Sequence, residues 1–241
     1  MIGRSMELVL KQIGHIESPF GTKFGVPRQA GLVEAPCRVV FEPEFRVPEA
    51  VRGLEGFDYV WLLWGFHLNS RKVVESKSLR EVEDWSPTVR PPRLGGNKRG
   101  GVFATRSPFR PNPIGLSSVK LLGVSVEEGV GPVLTVAGAD LVDGTPIYDV
   151  KPYIAYADSH EGARSGFAAE APRSVLEVSD PTGALDSLAP ASAEALRQSL
   201  AQDPRPHYQD DPQRVYAMIF EGREVKFRVR EGVAEIVAVG L

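Results

Sequence analysis

A single cysteine, Cys37, stands in 241 residues, so neither an internal disulfide nor a cysteine-based metal site is available. Set in Cys37-Arg38-Val39-Val40-Phe41, that thiol reads as a buried apolar filler rather than a nucleophile. The amino terminus has no basic segment leading into an apolar run, which argues against a secretory signal. The longest apolar run, Tyr59 to Phe66, is far too short to span a bilayer. A soluble cytoplasmic protein with no membrane partner is therefore expected. Familiar catalytic signatures are missing too: there is no G-x-G-x-x-G after a strand, no G-x-x-x-x-G-K-[ST] and no G-x-S-x-G elbow. The four histidines, His15, His67, His160 and His207, are far apart and lack metal-ligand spacing, so no metal is expected.

Net charge is −3, which by itself argues against a nucleic-acid partner. Its distribution argues the other way. No acidic residue lies between Asp84 and Glu127, an interval that carries Arg90, Arg93, Lys98, Arg99, Arg106, Arg110 and Lys120. A locally positive surface inside an acidic protein is what a selective polyanion site looks like. The stretch from Pro87 to Gly115 is also dense in arginine, glycine and proline. Prolines fix φ and remove donors, glycines let the backbone approach a ligand closely, and arginines supply planar forks for phosphate, carboxylate or base stacking. Such a stiff loop suits an anionic, nucleobase-bearing partner; the plain alternative is a solvated, turn-rich connection between strands. Within it, Gly95-Gly96-Asn97-Lys98-Arg99-Gly100-Gly101 lacks the Lys-Ser/Thr ending and the following helix of a phosphate loop.

Short β-type runs divided by Gly and Pro recur at Gln12–Ile16, Cys37–Phe41, Tyr59–Phe66, Val102–Thr105, Leu116–Leu122, Val133–Leu141 and Ile147–Ile154. None is followed by a long amphipathic helix, so the pattern predicts an antiparallel barrel or sandwich rather than a parallel sheet. A short helix is expected at Pro48–Leu54 and a linker or long loop at Glu161–Ser174. Beyond it, Ala191–Gln202 reads as a helix, and Val215–Phe220, Glu224–Val229 and Ala234–Val239 as a three-stranded meander. Val225, Phe227 and Val229 share one face of its middle strand, leaving Lys226, Arg228 and Arg230 near the other. The expectation is a mainly β protein: an antiparallel β-barrel over residues 1–163, then a small α+β domain over 176–241.

Three further places hold candidate chemistry. Asp143-Gly144-Thr145-Pro146 follows an apolar run ending Ala139-Asp140-Leu141-Val142, and reads equally as a hairpin turn. Phe24-Gly25-Val26-Pro27-Arg28-Gln29 is a loop with exposed backbone and one guanidinium. His67 ends the buried-looking strand of Trp61, Leu62, Leu63 and Trp64, where it serves as a site residue or a satisfied core histidine.

Together these segments resemble the TsaA-like, or TrmO, family of tRNA threonylcarbamoyladenosine N6-methyltransferases. The matching blocks are Ile13-Gly14 with Ser18-Pro19, Lys23-Phe24 through Gln29, Gly53-Leu54-Glu55-Gly56-Phe57 and Trp85-Ser86-Pro87 through Gly115. Leu141 through Pro146 with Asp149-Val150-Lys151-Pro152-Tyr153, then Gln202-Asp203-Pro204-Arg205-Pro206 and Tyr208, extend the likeness over nearly the whole chain. The resemblance implies a β-barrel enzyme acting as a homodimer, with S-adenosyl-L-methionine near the subunit interface and tRNA as partner. It implies a cofactor site made of Pro27, Arg28, Gln29, His67, Leu68, Arg106, Leu116, Asp143, Gly144, Thr145 and Pro146. Leu68 would act through its backbone.

On charge, Arg90, Arg93 or Arg110 would hold the threonyl carboxylate of the substrate, and Lys98, Arg99, Arg205 and the basic face of Lys226, Arg228 and Arg230 would meet tRNA. The general base is left open, with Asp143 and Asp149 as candidates and a structural role equally open for Asp149. The competing classes are a non-catalytic RNA-binding module and a hydrolase of a small phosphorylated or acylated metabolite. Missing nucleophile and metal constellations argue against the hydrolase.

Overall fold

The computed structural model describes residues 8–68, 85–91, 98–169, 176–205 and 211–240. Arg93 and the connection 69–84 lie outside these residues. Six strands close into a barrel: β1 (Gly14–Glu17), β2 (Pro36–Phe41), β3 (Tyr59–Gly65), β6 (Ile114–Glu127), β7 (Gly131–Ala137) and β8 (Pro146–Pro152). Their order around the wall is β1-β2-β7-β6-β3-β8, and every neighbouring pair is antiparallel. Two short strands, β4 (Thr88–Val89) and β5 (Gly100–Gly101), pair with each other beside the barrel.

Alternation decides what the wall encloses. Val60, Leu62 and Trp64 of β3 are buried and meet Ile16, Val39, Phe41, Val119, Leu134, Val136 and Ile147 inside. Cys37 belongs to this core, where burial pushes its thiol up to about 12.

A second sheet follows, ordered β10 (Tyr216–Phe220), β11 (Arg223–Arg230), β12 (Val233–Val239) and β9 (Glu177–Ser179), the last joined in parallel. After the short helix α1 (Ala155–Asp158), helix α2 (Pro190–Ala201) buries Leu196 and Leu200 against this sheet. The core under this sheet also takes Phe20, Val33 and Ala35 from the chain between β1 and β2, and Phe20 bridges Phe220. That segment is therefore clamped between the barrel and the second sheet.

Several local expectations need correcting. Val102–Ala104 forms a 3-10 turn, not a strand, and Phe103 at its centre is 74% exposed. Pro48–Val51 and Leu54–Gly56 are separate 3-10 turns instead of one helix, because Gly53 between them adopts a φ of 85°. The apolar run read as a strand to Leu141 stops at Ala137, where Gly138 turns the chain with φ 83°. Strand β9 has only three residues and no period to read.

Candidate active site

The end of β3, the ends of β1 and β7 and the starts of β2, β6 and β8 all reach the same rim of the barrel, as their antiparallel pairing requires. A cleft of about 460 Å³ opens there. It gathers Pro27, Arg28 and Gln29 from the clamped segment, His67 and Leu68 after β3, Arg106 and Arg110 from the basic stretch, Leu116 in β6, and Thr145 before β8. Residues scattered over more than a hundred positions of sequence thus share one cavity of ligand size.

Its walls are specific. Trp64 lies across Gly115, where an added Cβ would fall 2.2 Å from the indole. The indole Nε1 donates to Ser117 Oγ at 3.0 Å, and Ser117 Oγ donates to Asp140 Oδ1 at 2.6 Å. The backbone N–H of Ala30 also donates to Asp140, and Arg106 stands near enough to stabilise its charge. Burial outweighs these contacts and raises the carboxyl above the ordinary carboxylate range. A carboxylate in this state is suited to taking up a proton.

Lys23 Nζ donates to the Leu68 carbonyl and fixes the backbone after β3. Arg106 donates to Gln29 Oε1 at 2.5 Å. Arg28 reaches the carbonyls of Asp203 and Arg205, each at 3.3 Å, so the second unit helps hold the cleft loop. Partial desolvation, with Lys23 nearby, holds His67 below the ordinary imidazole pKa, and its ring is therefore neutral at neutral pH.

The remaining expected residues fall elsewhere. Asp143, Gly144 and Pro146 do not line the cleft. Asp143 accepts from the Ser18 N–H at 2.9 Å, and Gly144, at φ 73°, makes the turn that brings Thr145 inward. Asp149 pairs with Lys151 at 2.8 Å, away from the cleft. Arg90 and Arg99 line an adjoining cleft, Lys98 is exposed and lines neither, and Arg205 pairs with Asp203 at 2.8 Å. On the second sheet, Lys226 pairs with Glu224, Arg228 with Glu235, and Arg230 donates to Pro212 O and Gln213 Oε1, which offsets much of the basic face. The cleft also takes Asp140, Ser117, Trp64 and Lys23, none of which the sequence marks as a site residue. The one available signal was Gly138, a glycine interrupting an apolar strand just before an aspartate. Among the described residues no group of three or more His, Cys, Asp or Glu is placed to hold a metal ion, and no helix is long and apolar enough to cross a membrane.

The family profile described as the tRNA-methyltransferase O N-terminal domain matches residues 15–159, and that of the TrmO C-terminal domain matches 167–240. The chain belongs to the tRNA-methyltransferase O family. A relative from Escherichia coli, named tRNA (adenine(37)-N6)-methyltransferase, is 41% identical over 238 residues, covering 95% of this chain and 96% of that one. A Methanothermobacter thermautotrophicus relative, named "Probable S-adenosyl-L-methionine-binding protein", is 38% identical over 154 residues, covering 64% of this chain and 96% of its own. Among solved TrmO structures, that from Pseudomonas aeruginosa superposes with a TM-score of 0.76 at 34% identity, covering 99% of this chain and all of that chain. The barrel and the second sheet together are thus the TrmO architecture.

Proposed function

We propose that this chain transfers a methyl group from S-adenosyl-L-methionine to the exocyclic N6 of adenosine 37 in tRNA, and that the adenosine it accepts carries a threonylcarbamoyl group. The observation that carries the reading is the convergence of Pro27, Arg28, Gln29, His67, Leu68, Arg106, Leu116 and Thr145 on one barrel-end cleft. The relatives' names supply the reaction class. The same reading takes the chain as a cytoplasmic homodimer, with residues 1–163 as the catalytic barrel and 176–241 as a unit that also touches tRNA.

The donor set suits the cofactor. Apolar walls of Trp64, Phe66 and Leu116 fit an adenine ring, the Arg28 and Arg106 guanidinium groups fit a carboxylate, and Asp140 fits a cationic head or a proton to be removed. Bound there, S-adenosyl-L-methionine supplies an electrophilic methyl on sulfur. The chain's own tasks are alignment, exclusion of water and proton management. Asp140, aimed by Ser117 and Ala30, takes the N6 proton as the nitrogen attacks; its raised pKa strengthens it as a base relative to a solvated carboxylate. Arg110, held by the Thr105 carbonyl at 3.3 Å in the cleft wall, binds the threonyl carboxylate. A neutral His67 adds no positive charge to a cleft that would hold a cationic cofactor.

The test is mass analysis of nucleosides after incubating the purified protein with S-adenosyl-L-methionine and either threonylcarbamoylated or unmodified tRNA. Methylation of the modified adenosine alone is expected, together with a thermal shift on adding the cofactor. Equal methylation of the unmodified adenosine would overturn the substrate assignment, and no methylation of either tRNA would overturn the whole reading. Arg110→Ala is expected to weaken use of the carboxylated nucleoside more than cofactor binding; equal losses would remove that role.

A further inference from the structure

Beside the cofactor cleft lies a second and larger one, of about 1350 Å³, and Arg28, Gln29 and Arg106 belong to the walls of both. Its other walls come from the basic stretch and from the segment after the barrel: Arg90, Arg99, Phe103, Phe109 and Phe167. Two properties set it apart from an ordinary surface groove. Its described lining holds four arginines and no carboxylate. It also leaves three phenyl rings to solvent, with Phe103 74%, Phe109 54% and Phe167 42% exposed.

The rings are presented, not merely uncovered. Thr105 N–H and Oγ1 both bond the Val102 carbonyl, at 3.1 and 2.8 Å, closing the turn that thrusts Phe103 outward. Ser107 N–H donates to Thr105 Oγ1 and Phe109 N–H to Ser107 Oγ, each at 3.2 Å, which sets Phe109 on the same rigid trace. Trp85 stacks on Phe103 with centroids 6.4 Å apart and planes inclined by 22°. Arg99 is braced on Thr88 by two bonds, at 2.8 and 3.2 Å.

Fixed, solvent-facing rings interleaved with guanidinium groups recognise unstacked bases strung on a phosphate backbone. Resting on the function proposed above, we propose that this second cleft is a stacking platform for the unpaired nucleotides that flank adenosine 37, with Phe103 and Phe109 receiving bases and Arg90 and Arg99 receiving phosphates. The shared wall of Arg28, Gln29 and Arg106 makes the platform continuous with the cofactor cleft, so a strand lying on it delivers the neighbouring adenosine to Asp140. The charge argues against a second copy of the chain as the occupant. A two-fold contact on this patch sets its arginines against the same arginines of the partner, with no carboxylate in its described lining to relieve them.

The test pairs Phe103→Ala/Phe109→Ala with an anticodon stem-loop RNA bearing the threonylcarbamoyl adenosine, made with or without an abasic site in place of one flanking base. Stacking on an aromatic ring predicts at least about a tenfold loss of RNA affinity for the double variant. Thermal shift with S-adenosyl-L-methionine and the salt dependence of binding are expected to stay unchanged, since no phosphate contact is removed. On the RNA abasic at one flanking position the same variant is expected to lose only the other ring's contact, a smaller loss than on the intact RNA, because one contact cannot be removed twice. Phe103→Tyr/Phe109→Tyr keeps the rings and should bind like the parent, separating stacking from misfolding. Full losses on every RNA, abasic or not, would overturn the platform, as would unchanged affinity. A shift from dimer to monomer in light scattering with RNA affinity intact would assign the rings to a subunit interface instead. Should the parent protein methylate no tRNA, the functional reading fails first; methylation with unaltered KM in the double variant defeats the platform alone.

Discussion

Replacing Asp140 by asparagine exchanges one cleft-facing oxygen for an amide nitrogen and leaves the shape of the side chain almost unchanged. The amide oxygen still accepts the Ser117 hydroxyl, so the chain from Trp64 through Ser117 to position 140 persists and the wall of the cleft stays where it is. What is lost is the ability to take a proton. A positioned base contributes about 10²- to 10⁴-fold to a rate, or roughly 3–5 kcal/mol of transition-state stabilisation. Single-turnover methylation of tRNA by D140N is accordingly expected to slow by that factor, while the thermal shift with S-adenosyl-L-methionine keeps its size. In the parent protein the rate should rise with pH and level off above the raised pKa of Asp140, and the variant should lack that limb.

Stability gives an independent check with a definite sign. Burial raises the folded carboxyl above its unfolded value, so the folded state binds the proton more readily than the unfolded chain does. Ionisation therefore costs stability as pH climbs through the ordinary carboxylate range, and the cost is complete once pH exceeds the folded pKa. D140N should melt at or above the parent's temperature at neutral pH, with the advantage vanishing in acid below the ordinary carboxylate pKa. A variant that melts no lower yet methylates within about threefold of the parent would refute Asp140 as the base. A variant that loses cofactor binding in step with rate would make it a cofactor ligand instead.

Gly115→Ala drives a methyl group into the Trp64 indole and should destabilise the barrel by about 1–3 kcal/mol in urea unfolding, with weakened cofactor binding because that indole is a wall of the cleft. Cys37, with its thiol pushed up to about 12, should resist thiol reagents at pH 8 until the protein is denatured. Because the folded state favours the neutral thiol, its contribution to stability is lost as pH rises above the ordinary thiol range towards that value. His67, held below the ordinary imidazole pKa, should leave cofactor affinity flat near neutrality and reduce it only in acid, where a second cation meets the sulfonium; His67→Gln should abolish that acid limb in titration calorimetry.

Legibility in the sequence followed the reach of each signal. Strand β11 was readable because Val225, Phe227 and Val229 alternate with charged residues and all three are buried on one face. Val102-Phe103-Ala104-Thr105 has the same local chemistry as a strand, but among the described residues no strand pairs along it, and the turn closed by Thr105 takes over. A residue composition cannot say whether a neighbouring strand will arrive. Asp140 was hidden for a related reason: it sits in an apolar run, and only the turn at Gly138 separates the strand from the residue that faces the cleft. Asp143 and Asp149 are the carboxylates nearest in sequence to the expected site residues, but one accepts the Ser18 N–H and the other pairs with Lys151.

The contact of Arg28 with Asp203 and Arg205 had no local signal at all, since its partners lie some 175 positions away. It nevertheless explains why a barrel of this kind comes with a second unit. The segment between β1 and β2 carries the cleft residues Pro27, Arg28 and Gln29 and meets the barrel rim through Lys23, Gln29 and Ala30. Phe20, Val33 and Ala35 root it in the core beneath the second sheet, Ser199 Oγ donates to the Gly25 carbonyl at 2.8 Å, and Gly25 lies so close to Met218 that a Cβ there would fall 2.3 Å from its methyl. The second unit thus presses the loop into one conformation from behind while the barrel rim shapes it from in front. Preorganisation of a cleft loop by contacts outside the cleft lowers the entropy lost on binding. On this architecture, weakening the packing of α2 against the sheet should loosen cofactor binding before it unfolds the barrel.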